Sequence, residues 1–133
     1  MRITVLLVLL LGFFLAFCSE GGKGQSESPT IAAQRYGSVA GLRDAAVKAG
    51  YPCPNWKLRE GPQYAKETGE CSEKDVFSVY ATDADLTDQL ELSSQSGGAD
   101  LHMLVGPNWI INLPDSSHVE LLQAKLGGKP LAA

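Results

Sequence analysis

Residues 101–113 read LHMLVGPNWIINL, and the fold predicted from the sequence depends on this stretch. Two apolar runs, 101–105 and 109–113, flank a Gly-Pro-Asn tripeptide. Pro107 has no N–H to donate to a strand ladder, and Pro-Asn suits a tight turn. The stretch therefore predicts a β-hairpin rather than one long strand.

Three helices are predicted around this hairpin from their N-cap residues. The first follows Ser38, the second follows Thr82, and the third opens at Ser117, with Glu120 spaced to complete a capping box. The predicted inward-facing residues are Val39, Leu42, Ala46 and Ala49, then Leu86 and Leu90, then Val119, Leu122 and Leu126, and the closing glycines are Gly50, Gly97-Gly98 and Gly127-Gly128.

Two further strand-like runs, 56–59 and 75–81, give the element order α, β, β, α, β, β, α. Short connections and hairpins favour a mostly antiparallel sheet. We therefore predict an α+β fold, a two-layer sandwich in which three to five strands carry about three helices on one face.

The start of the chain, with Arg2 before an apolar run and polar residues beyond it, predicts an export signal. The apolar run 3–17 spans roughly 22 Å as a helix, short of the roughly 30 Å of a bilayer's hydrocarbon core, so a permanent membrane span is disfavoured. Cys18 stands where bacterial lipoprotein signals place the cysteine that receives a diacylglycerol. Phe17 departs from the small residue usual before that cysteine, and cleavage before Ser19 by ordinary signal peptidase is the alternative.

We predict three regions: a signal peptide over 1–17, a flexible tether over 18–35, and a single α+β domain over 36–133. The Ser, Gly and Glu residues after Cys18 provide too little apolar surface to fold. Such a tether favours attachment of Cys18 to lipid, at the outer face of the cell membrane, over free secretion.

The chain has three cysteines, an odd number for an exported protein. Lipid on Cys18 leaves Cys53 and Cys71 to form a disulfide in an oxidising compartment, and two free buried thiols are the alternative. Neither a Cys-x-x-Cys spacing nor a nearby histidine accompanies them, so no metal site is predicted. No cofactor motif is recognised.

The mature chain is acidic. Removing 1–17 removes only Arg2 from the 11 basic residues, leaving 10 against 15 acidic residues and a net charge of −5. Nucleic acid is therefore not an expected partner. An acidic body also gains nothing from anionic lipid headgroups, so membrane attachment is expected through the N-terminal lipid alone.

Two histidines and two tryptophans are the candidates for function. His102 and His118 could serve a small hydrolase with a neighbouring carboxylate, of which Asp100 is nearest in sequence, although structural roles are commoner. The candidate recognition residues are Trp56, Asn108 and Trp109, from the two copies of Pro-Asn-Trp in the chain. Buried tryptophans often serve the core instead.

Several segments resemble a family of small exported lipoproteins from high-GC Gram-positive (actinobacterial) bacteria. They are Tyr36-Gly37-Ser38-Val39, Leu42-Arg43-Asp44-Ala45, the run 50–56, Gly69-Glu70-Cys71-Ser72, the run 104–112, and Leu126-Gly127-Gly128. The resemblance implies lipidation, the Cys53–Cys71 bridge and a single domain. It brings no activity with it.

These observations predict an envelope-anchored binding or interaction module without enzymatic activity, whose partner is an envelope or surface protein. Two alternatives stay open: the small exported hydrolase, and an exclusion lipoprotein that blocks an incoming phage or toxin.

Overall fold

The computed structural model describes residues 31–96 and 102–131. Several sequence predictions fall outside these residues: the signal peptide, Cys18, the first part of the tether, the Gly97-Gly98 helix stop, Asp100 and the first residue of the 101–105 run. The described residues form three helices and one six-stranded sheet.

The helices and strands alternate irregularly along the chain. In order they are α1 (Val39–Lys48), β1 (Lys57–Arg59), β2 (Glu67–Glu70), β3 (Val76–Val79), α2 (Asp83–Gln95), β4 (His102–Val105), β5 (Trp109–Leu113), α3 (Ser116–Leu126) and β6 (Lys129–Leu131). The sheet order is β1-β2-β3-β5-β4-β6, and every neighbouring pair is antiparallel.

The α+β class and the antiparallel sheet are confirmed, as is the hairpin between β4 and β5. Gly106 N–H donates to the carbonyl of Trp109 at 2.9 Å and closes this hairpin. The prediction of three to five strands was wrong, because β2 and β6 were missed. β2 reads Glu-Thr-Gly-Glu and β6 reads Lys-Pro-Leu, so neither shows an apolar alternation.

Two of the three predicted N-caps are confirmed. The Ser38 side chain accepts from Gly41 N–H, and Thr82 forms a capping box with Asp85. The third helix begins earlier than predicted, because its N-cap is Asp115 rather than Ser117. The Asp115 carboxylate accepts from the backbone N–H of His118 at 3.1 Å.

The helices lie on both faces of the sheet, which corrects the prediction of a two-layer sandwich. Helices α1 and α3 cover one face, over a main core of Phe77, Val79, Leu104, Trp109, Ile111 and Leu113. Helix α2 covers the other face through a smaller cluster built on Tyr80, Leu86 and Ile110. Trp109, Ile110 and Ile111 are consecutive and all buried, so β5 needs cover on both faces.

Residues 31–38 form a strap that crosses one end of the sheet before α1 begins. A Cβ at Gly127, which precedes β6, would collide with the carbonyl oxygen of Ile31. The backbone N–H of Val39, at the other end of the strap, donates to Glu67 in β2 at 2.9 Å. The contacts of the domain therefore begin before Tyr36, the residue at which the sequence placed its start.

Candidate functional site

Asn108 holds the strap against the turn between β4 and β5. Its Oδ1 accepts from Tyr36 N–H at 2.9 Å, and its Nδ2 donates to the carbonyls of Tyr36 at 2.8 Å and Tyr80 at 3.4 Å. The side chain is buried. Its amide is thus occupied by the backbone of its own chain.

Trp109 is fully buried beside it. The indole Nε1–H donates to the carbonyl of Gln34 at 2.9 Å, and the ring meets that of Tyr36 edge-on. Asn108 and Trp109 therefore both hold the strap in place, and neither side chain is available to a ligand in this structure.

Trp56 immediately precedes β1 and is half-buried, on the face covered by α1. Its ring meets Phe77 edge-on at 5.8 Å between centroids and lies under the Arg43 guanidinium at 5.1 Å. It also lies over Gly69, where an added Cβ would collide with the indole. Of the three predicted recognition residues, Trp56 alone is at a partly exposed position.

Strand β1 is the edge of the sheet, and no strand of the described chain pairs with its outer side. All three of its residues are exposed. Leu58 is 68% exposed, the highest value among the large hydrophobic residues that the structure describes. An unpaired edge bearing an exposed leucine can accept a strand from another chain.

Two cations flank Leu58 on the opposite face of the sheet. Lys57 Nζ lies 2.9 Å from one carboxylate oxygen of Glu70, and Arg59 Nη1 lies 2.6 Å from the other. The hydrogen bond to Glu70 raises the pKa of Lys57 and, in return, lowers the pKa of Glu70. The Glu70 side chain is 7% exposed, whereas Lys57 and Arg59 are 65% and 45% exposed.

At the opposite edge, β6 has a different character. Pro130 lies at its centre and pairs with Leu104 of β4. Since proline carries no N–H, this edge offers one donor fewer to an incoming strand. The two edges of the sheet are therefore not equivalent.

The two histidines lie in different elements, His102 in β4 and His118 in α3. His102 is half-buried in β4. His118 lies in the first turn of α3, where its Nδ1 is 2.9 Å from Asp115 Oδ2 and its ring meets Tyr51 edge-on. The carboxylate beside His118 is thus Asp115. Its pKa is lowered to about 2, first by the Ser117 hydroxyl and next by the His118 backbone N–H.

A Cys53–Cys71 disulfide is present and joins the linker after α1 to the end of β2. Asp75 organises the same corner. Its carboxylate is buried and accepts from Cys71 N–H at 2.7 Å, Ser72 N–H at 3.1 Å, the Ser72 hydroxyl at 3.0 Å and the Tyr51 hydroxyl at 2.8 Å. Burial, and secondly Asp75, raise the pKa of Tyr51. This corner is a satisfied structural network.

Described residues line three pockets of note, and neither histidine lines these three. One of about 350 Å³ lies between the strap and β3, with Arg35 and Lys66 at its rim. Arg35 is paired with Asp83 at 2.9 Å, and Lys66 donates to the Gly37 carbonyl at 3.1 Å. Both cations already have partners.

The second pocket, of about 430 Å³, lies between the C-terminal ends of α1 and α3, and the third, of about 130 Å³, lies beneath α2. Tyr80 lines the third, and burial raises the pKa of this tyrosine to about 12, so its hydroxyl is neutral there. Across residues 31–96 and 102–131, no group of three or more His, Cys, Asp or Glu side chains is arranged to hold a metal ion. None of the three helices there is long and apolar enough to cross a membrane.

Three features were not predicted from the sequence: the N-cap Asp115, the burial of Asp75 and the exposure of Leu58. Asp115 follows Pro114, which marks the end of β5, so an earlier helix start had a signal. Leu58 was placed in a strand, but its exposure depends on β1 being the last strand of the sheet, which the sequence does not fix.

Comparisons of the chain with protein-family models, with curated proteins and with solved structures found no match.

Proposed function

We propose that this protein is an exported, lipid-anchored envelope protein whose domain binds another protein along the outer edge of β1. Export and lipidation rest on the N-terminal sequence through Cys18. The observation that carries the binding function is the unpaired β1 edge, with Leu58 68% exposed.

The position of the strap supports this proposal. Residue 31 lies beside Gly127, which leads into β6, so the chain leaves the domain at the β6 end of the sheet. With neighbouring strands about 4.8 Å apart, five strand spacings place β1 on the order of 24 Å from β6. An anchor at the N-terminus would leave the β1 edge free to meet a partner.

Site-specific photo-crosslinking in an actinobacterial host tests the binding edge. A photoreactive residue replaces Leu58, and a matched control replaces Leu92, a 39% exposed leucine on α2. We expect one discrete adduct from position 58 and none from position 92. The same adduct from both positions, or none from position 58, would contradict binding at β1.

The intact mass of the protein from that host tests the anchor. We expect a mass that begins at Cys18 and includes a diacylglycerol. The Cys18→Ala variant should appear in the medium or keep its leader. A wild-type mass that begins at Ser19 without lipid would mean free secretion.

The Asp115–His118 pair supports a second candidate, the small exported hydrolase. A carboxylate 2.9 Å from an imidazole can orient the ring as a general base. The nearby Ser117 hydroxyl instead donates to Asp115 at 2.6 Å. Turnover of ester and peptide substrates by wild type and by His118→Gln tests this second candidate. Turnover by wild type that is lost in the variant would favour the hydrolase.

A further inference from the structure

We infer that the strand bound by β1 presents acidic residues opposite Lys57 and Arg59 and an apolar residue opposite Leu58, an inference that rests on the proposed function. The partner segment is therefore an extended peptide with the pattern acidic–apolar–acidic. The proposed pattern specifies which side chains the partner carries, whereas the exposed edge alone indicates only that a strand can bind.

The register of β1 fixes which side chains share a face. Lys57 pairs with Glu70, Leu58 with Gly69, and Arg59 with Thr68. Directly opposite residues in an antiparallel pair point to the same face. Lys57 and Arg59 therefore face the α2 side of the sheet, and Leu58 faces the α1 and α3 side.

The apolar requirement comes from the Leu58 face. Gly69 has no side chain, and the Trp56 ring occupies the space above it. Leu58 has no side-chain neighbour directly across on β2, which agrees with its exposure. An apolar residue on an added strand would cover Leu58 from the other side and remove its surface from water.

The acidic requirement comes from the charges on the other face. Two cations share the single carboxylate of Glu70. Lysine has three donors and arginine five, so each retains donors for a second acceptor. Glu60 follows Arg59 in sequence, and Glu73 adds a smaller attraction that raises the pKa of Lys57, but within the described chain the ion pairs of these two cations are with Glu70. Opposite charges directly across a strand pair are stabilising.

The same charges argue against a second copy of this chain as the occupant. In a symmetric antiparallel pairing of two β1 edges centred on Leu58, Lys57 would lie opposite the partner's Arg59. Shifting the register by two residues would instead place one of these cations opposite the same residue of the second copy. Like charges directly opposite are destabilising, so these pairings of the two edges are disfavoured.

Peptide titration of the full-length protein tests the inference. The probes are two capped heptapeptides, Ser-Thr-Glu-Val-Glu-Thr-Ser and the same peptide with lysine in place of both glutamates, followed by amide chemical shifts. We expect the acidic peptide to shift the amides of residues 57–59. The lysine peptide should bind at least about fivefold more weakly, because two favourable cross-strand pairs become repulsive.

Charge removal on the protein gives the matched comparison. Lys57→Gln keeps the Arg59–Glu70 pair, and its control is Lys48→Gln, an exposed lysine in the last turn of α1. We expect Lys57→Gln to reduce the preference for the acidic peptide and Lys48→Gln to preserve it. Thermal melts of both variants verify that each remains folded.

The outcomes separate this inference from the proposed function. Equal binding of both peptides at residues 57–59, or no binding of either up to millimolar concentration, would overturn the acidic–apolar–acidic pattern. The crosslink at position 58 could still stand in either case. Sedimentation experiments test whether the protein forms a dimer through this edge. If it does, and Leu58→Asp abolishes the dimer whereas Leu92→Asp does not, the edge binds a second copy and the inference is overturned.

Discussion

Asn55 and Asn108 occupy the same position in the two Pro-Asn-Trp tripeptides, yet their environments differ. Asn108 is buried and makes three hydrogen bonds to the backbone, whereas Asn55 is exposed. Asn108→Ala would remove the partner of the half-buried Tyr36 backbone groups and of the buried Tyr80 carbonyl. We expect a loss of about 2 kcal/mol or more in the free energy of unfolding.

Denaturant unfolding of both alanine variants measures this difference. Asn55→Ala is the matched control and should change the free energy of unfolding by less than about 0.5 kcal/mol, as is usual for exposed positions. Equal losses in the two variants would mean that the Asn108 amide does not hold the strap.

The N-cap Asp115 makes stability depend on acid pH. Its folded pKa of about 2 lies below the value of about 3.9 for an aspartate in an unfolded chain. The group therefore stabilises the fold above about pH 4, and that contribution is lost as the pH falls toward 2. Asp115→Asn keeps an N-cap residue but does not titrate.

We expect Asp115→Asn to lose less stability than wild type between pH 5 and pH 2. Urea unfolding at several pH values in this window measures it. Asp88→Asn, which changes an exposed aspartate on α2, serves as the control and should follow wild type. Parallel acid curves for all three proteins would contradict the role of Asp115.

Gly69 determines how β1 meets the rest of the sheet. Its missing side chain leaves space for the Trp56 ring, and an added Cβ would collide with that ring. We expect Gly69→Ala to destabilise the fold by roughly 1–3 kcal/mol, because the indole must move away from Phe77. The β1 edge should also loosen.

Gly37→Ala is the control for this element, since its added Cβ would have no neighbour within 4 Å. Its stability should match or slightly exceed that of wild type. Chemical unfolding followed by tryptophan fluorescence distinguishes the two variants, and unchanged stability of Gly69→Ala would show that Trp56 shifts without cost.

The sequence predicted those elements whose signals are local. Ser38 and Thr82 mark helix starts because each is followed by a clear amphipathic pattern, and the β4–β5 hairpin follows from Pro107. Strand β2 has no such signal: its Thr68 and Gly69 are buried only because neighbouring strands and the loop carrying Gly61 cover them. Burial that depends on such tertiary contacts cannot be predicted from a four-residue segment.

The candidate site was predictable only in part. The disulfide followed from counting cysteines, and β1 was placed within one residue. That Trp109 would be fully buried and Trp56 partly exposed could not be read from two identical tripeptides. The difference arises because β5 lies inside the sheet whereas β1 is its edge.

At the scale of the whole molecule, the Cys53–Cys71 disulfide covalently joins the linker after α1 to the end of β2. The two cysteines are 18 residues apart, and a loop of that size contributes about 3 kcal/mol in the chain-entropy account. We expect Cys53→Ala/Cys71→Ala to unfold at a correspondingly lower denaturant concentration.

Reduction of the wild type should reproduce this loss and add the mass of two hydrogens, and the double variant should not respond to reductant. Wild-type stability that does not change with reductant, together with an unchanged mass, would mean that the bridge does not form in the protein.

The strap also determines how the molecule would respond to mechanical load. If the N-terminus were fixed and a partner pulled on β1, tension would enter at residue 31 and meet the Trp109–Gln34 and Asn108–Tyr36 hydrogen bonds before it reached α1. These bonds join separate elements across the end of the sheet. A force applied at the N-terminus would therefore be carried first by the hydrogen bonds of the strap, before it reached α1 and the sheet.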